Sequence, residues 1–80
     1  MKRPSLYDRV ALTRDLEAYG LKRGDVATLI DVVPQPDQGP EGLILEVFNA
    51  LGESIHVVTV RDGDVEALTE NEILSVRQLA

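Results

Sequence analysis

The chain has 80 residues, no cysteine, one histidine and a formal net charge of −6. That length allows one domain, residues 1–80, whose core leaves only a few kcal/mol of net stability. The missing cysteines exclude disulfide staples, thiol redox chemistry and zinc-finger ligand sets, and an ordinary reducing cytoplasm suits such a chain.

Apolar residues make up 44% and charged residues 28%, the composition of a folded globule rather than of a disordered chain. MKRPSLYD at the start lacks an apolar stretch behind its basic residues, and no segment approaches the roughly 20 apolar residues that span a bilayer. A cytoplasmic protein without a membrane segment is expected. Charge is split along the chain. Residues 1–25 hold six basic side chains against four acids, whereas the rest holds ten acids against Arg61 and Arg77. An acidic surface repels phosphate backbones, which disfavours nucleic acid and favours a basic protein partner.

In chain order, Val10–Leu12 predicts a short first strand. RDLEAYGLKRGD holds no sustained period, and its scattered Leu16, Tyr19 and Leu21 suit a packed excursion with at most one helical turn around 15–18, stopped by Gly20. Lys22-Arg23-Gly24-Asp25 places glycine where a turn needs positive φ. The strand that follows, 25–33, alternates Val26, Thr28, Ile30 and Val32 with Ala27, Leu29, Asp31 and Val33. Asp31 marks the second set as the wetter, outward face. Prolines then break the pattern, and residues 34–41 are expected to be a mobile loop.

GLILEVFN (42–49) and SIHVVTV (54–60) predict a hairpin turning at Gly52. RDGD (61–64) is a tight turn, VEAL (65–68) a short return, and Thr69-Glu-Asn-Glu72 spells a capping box. The end is either one helical turn or, preferably, a turn followed by a strand at 73–77. Five or six short strands without a long helix predict an all-β chain, and at this length a small SH3-like barrel, whose closure removes exposed edges.

Asp8-Arg9-Val10-Ala11-Leu12, Gly20-Leu21 with Gly24-Asp25, Thr28, Glu46 with Phe48, Gly52, Val57-Val58-Thr59 and Glu72-Ile73-Leu74 with Val76-Arg77 together resemble the small bacterial family of unknown function catalogued as DUF4926. The resemblance implies an SH3-like or KOW-like barrel with no catalytic residue. It also implies pairing with a small co-encoded protein, similar to a toxin–antitoxin arrangement. Ala27 departs from the glycine expected in the family pattern, which removes close backbone approach by a ligand there.

Chemistry-bearing constellations are sparse. His56 sits in a strand with no evident triad, and phosphate-cradling glycine motifs are absent. Asp62, Asp64 and Glu66 have the spacing of a calcium loop, but Ala67 stands where its glycine is required. No catalytic residue, metal ligand or cofactor is expected. Apolar side chains on the supposed outer faces point instead to a protein interface of Leu29, Asp31, Ile44, Glu46 and Phe48, with Phe48 as the central anchor. The expected function is a non-catalytic protein-binding module, the neutralising (antitoxin-like) or chaperoning partner of a small basic protein, with a homo-oligomer also compatible. The alternative is a KOW-like nucleic-acid module using Arg14, Tyr19, Lys22 and Arg23.

Overall fold

A computed structural model describes residues 4–34 and 41–79. Five strands, β1 (Arg9–Leu12), β2 (Val26–Val33), β3 (Gly42–Phe48), β4 (Ser54–Arg61) and β5 (Val65–Ala67), form one antiparallel sheet in the order β4-β3-β2-β1-β5. The described residues contain no α-helix, only single 3₁₀ turns at Glu17–Tyr19 and Asp62–Asp64. None of their helices is long and apolar enough to cross a membrane.

Connectivity dictates the curl of the sheet. β4 and β5 occupy opposite edges, yet only Asp62–Asp64 lies between them. A flat five-strand sheet would hold its outer strands about 19 Å apart. The chain from Arg61 to Val65 reaches at most about 14 Å. The sheet therefore bends back on itself, as the predicted small all-β barrel requires.

One core fills the inside of this curl. Val10 and Leu12 of β1, Ala27 and Leu29 of β2, Leu43, Leu45 and Val47 of β3, Val58 and Val60 of β4, and Val65 of β5 are buried together. Register builds it in rows, with Leu29 opposite Leu45 opposite Val58, and Val32 opposite Leu43 opposite Val60. The excursion between β1 and β2 adds Leu16 and Leu21, which exchange backbone hydrogen bonds of 2.8 and 3.2 Å. Its 3₁₀ turn ends at Gly20, as the sequence predicts, and Gly20 lies in the left-handed region.

The expected faces of β2 are reversed over its first half. Ala27 and Leu29 point inward, while Val26, Thr28 and Ile30 are only half-buried. A bulge between Leu29 and Asp31 then shifts the register, so that Val32 returns to the core. Strict alternation cannot anticipate this, because one extra residue exchanges the two faces beyond it. Leu29, expected at an interface, has no exposed surface at all.

The turns follow local chemistry. Gly24 takes φ of +91°, and the Asp25 carboxylate accepts the Lys22 amide at 2.8 Å, so the charged turn before β2 serves geometry. In the β3–β4 hairpin the Asn49 side chain accepts the amides of Leu51 and Glu53, and Gly52 takes φ of +84°. At the end of the chain, Thr69 donates its amide to Glu72 at 2.6 Å and a turn forms. The strand expected at 73–77 does not, since residues 72–79 pair with nothing in the sheet. Of the loop predicted at 34–41, residues 35–40 lie outside the described residues.

Leu29→Ala is expected to cost about 2–5 kcal/mol, measured by chemical denaturation, enough to unfold much of a domain this small. A loss under about 1 kcal/mol would instead return Leu29 to the surface.

Candidate protein-binding face

The outer face of β2, β3 and β4 is assembled by register. Thr28 lies opposite Glu46, which lies opposite Val57, and Asp31 lies opposite Ile44, which lies opposite Thr59. Phe48 ends the same side of β3 and is 41% exposed, while Ile44 and Glu46 are half-buried. Asp31 sits at the bulge with its carboxylate accepting the Val32 amide at 2.8 Å, which holds its charge at the rim. Four of the five expected interface residues therefore share one face, and Leu29 is excluded because it belongs to the core. Val57, 58% exposed and paired with Glu46, is the residue that reading single strands missed. Carrying the alternation of β3 across the hairpin would have found it.

Phe48 also borders an open groove. Val26 and Thr28 of β2 and Leu74 and Leu79 of the C-terminal segment also line it. That segment is fastened by Arg77, which forms a two-pronged ion pair with Asp25 and donates to the Gly20 carbonyl at 3.2 Å. Leu79 packs over Gly20, 3.6 Å from where a Cβ would stand. Burial pushes the Asp25 carboxyl up, but the Arg77 guanidinium and the Lys22 amide outweigh it and leave the group below its ordinary value.

A second ion pair ties up the alternative loop. Arg14 Nε donates to Asp64 at 2.8 Å, and the Thr13 hydroxyl donates to the Gly63 carbonyl at 2.8 Å, fixing the excursion to the turn before β5. The Arg14 hydrogen bond, with the Arg61 amide, holds the Asp64 carboxyl below its ordinary value against a smaller opposing effect of burial. Tyr19 meets His56 edge-on with centroids 5.9 Å apart. Lys22 and Arg23, like Arg14 and Tyr19, are exposed. Asp64 is thus engaged by arginines, and the described residues hold no cluster of three metal-ligating side chains.

Curled connectivity, a buried Leu/Val core and an exposed aromatic on the outer sheet characterise a small all-β domain. Residues 6–67 match the model of a domain of unknown function, DUF4926, and the chain belongs to that family. No curated protein and no solved structure matches it. The match ends at β5, so Glu72 to Arg77, which resembled the family, lie beyond the matched region.

Both carboxyls are held below their ordinary values in the folded state. Their stabilising contribution is complete above the ordinary carboxylate range and is lost as the pH falls through the lowered folded values. The melting temperature should therefore hold between about pH 7 and 5 and fall below about pH 4. Asp64→Asn should cost about 1 kcal/mol at neutral pH, a charged hydrogen bond discounted for solvent, and flatten the acid slope. An unchanged acid slope in that variant would remove Asp64 from the account of acid stability.

Proposed function

We propose that this chain is a non-catalytic protein-binding module, SH3-like in its curl, which receives a basic protein on the face centred on Phe48. The exposed Phe48 ring on the same outer face as Ile44 and Val57, with Glu46 between the two apolar positions of β3 and Asp31 at the bulge, is the observation that carries this reading. An aromatic anchor within a polar rim is the usual anatomy of a binding hot spot. The face stands on paired strands over a close-packed core, so little ordering entropy opposes docking. Ten acids against two arginines beyond residue 25 would steer a basic partner toward it.

In this reading the module acts by masking. It covers the working surface of a small basic protein in the bacterial cytoplasm, neutralising it as an antitoxin does or chaperoning it. His56 is occupied by the Tyr19 ring, which supports a structural rather than a catalytic imidazole. The nucleic-acid alternative has less support, because Asp64 neutralises the first of its cations.

Phe48→Asp should keep the melting temperature nearly unchanged. It should also abolish capture of the basic protein that the wild type takes from its native lysate, a loss of about 2 kcal/mol or roughly 30-fold in affinity. Equal capture by the folded variant would end the assignment of this face. Salt-labile nucleic acid in place of protein would transfer the role to the loop at 14–23.

A further inference from the structure

The C-terminal segment has the properties of a strand without a sheet. From Ile73 to Leu79 no backbone group pairs with the backbone of another described residue. Ile73 and Val76 are 93% and 94% exposed, and the Arg77 attachment described above is partly open to solvent, with side-chain exposures of 32% and 19%. Exposed pairs of this kind hold weakly. An exposed apolar segment with unpaired backbone groups is available to join a sheet edge.

The molecule offers such an edge. β4 is the outermost strand at its side of the sheet, and its eight residues contain no proline, lysine or acid, the usual guards of an edge. Its only charge is Arg61 at the end. Ile55 bulges between the pairs His56–Val47 and Ser54–Phe48, which leaves His56 to Arg61 as a regular run of six. The opposite edge, β5, spans only three residues and offers little to pair with.

We propose that the C-terminal segment of one copy adds to the β4 edge of a second copy as an antiparallel strand, reciprocally, forming a twofold dimer. Charge selects both direction and register. Running antiparallel, Glu72 stands opposite Arg61, Leu74 opposite Thr59 and Val76 opposite Val57. Running parallel, the acidic start of the segment, Glu70 and Glu72, would lie toward Glu53 instead, where like charges repel. Pairing gives the segment its missing backbone hydrogen bonds and covers Val76 and Val57 together, and the contact is the same on both copies, so it closes at two. The interface shares Val57 with the Phe48 face, but it rests on backbone pairing along the β4 edge rather than on the Phe48 ring.

The absence of cysteine makes the test direct. Full-length chains carrying Val57→Cys, mixed with chains carrying Val76→Cys under mild oxidation, should form a disulfide between chains at least about 10-fold faster than a Leu51→Cys and Val76→Cys pair, since the register brings only the first pair within bonding range. In sedimentation equilibrium, Glu72→Arg or Arg61→Glu alone should loosen the dimer about 3- to 10-fold, and the two together should restore it. A monomer at millimolar concentration, cross-linking no faster than the Leu51 control, or a double reversal that fails to restore association would each overturn the proposal. So would a disulfide formed within one chain when both cysteines are on it, because the segment would then fold back on its own edge.

Discussion

The row in which Leu29, Leu45 and Val58 face one another across three strands is the constraint on which everything else in this molecule rests. All three are essentially sealed from solvent, and Leu45 joins Leu29 on one side to Val58 on the other in the strand register. Burying three such side chains contributes several kcal/mol before entropy is charged against it, which in a domain of this size is comparable to the whole net stability. The bulge after Leu29 follows from this row. It lets β2 place Ala27 and Leu29 inside the first part of the curl and Val32 inside the second, so that one strand lines the core along its whole length.

What that arrangement leaves outside then becomes the working surface. With Leu45 and Val47 committed inward, Ile44, Glu46 and Phe48 must face out, and pairing with β4 adds Val57 and Thr59 to them. Two ion pairs trim the periphery. Arg14 with Asp64 ties the excursion to the turn before β5, and Arg77 with Asp25 ties the end of the chain to the turn before β2. The first joins two parts of the domain that the family match covers, whereas the second fastens a segment that lies beyond it.

Much of this was legible in the residues. Glycines at 20, 24 and 52 adopt the positive φ values that their turns demand, and the 42–60 hairpin follows from two β-rich runs around Asn49 and Gly52. The inside of β2 was not legible, because VATLIDVV is almost equally apolar on both of its alternating faces and a single bulge reassigns them. Leu29 was misplaced for that reason, while Ile44 and Phe48 were placed correctly because β3 keeps its register until the hairpin. The C-terminal residues include the strand formers Ile73 and Val76, yet whether they find a partner depends on edges that lie far away in the sequence. Arg14 and Asp64, fifty residues apart, could not be paired by reading along the chain.

The most direct test is solvent access to individual methyl groups, measured as relaxation by a soluble gadolinium chelate in the methyl spectrum of the dilute full-length protein. The Leu29, Leu45 and Val58 methyls should be among the least relaxed, and those of Val57 among the most. Leu29 methyls relaxed as strongly as those of Val57 would mean that β2 presents its other face, and both the core and the Phe48 surface would have to be drawn again.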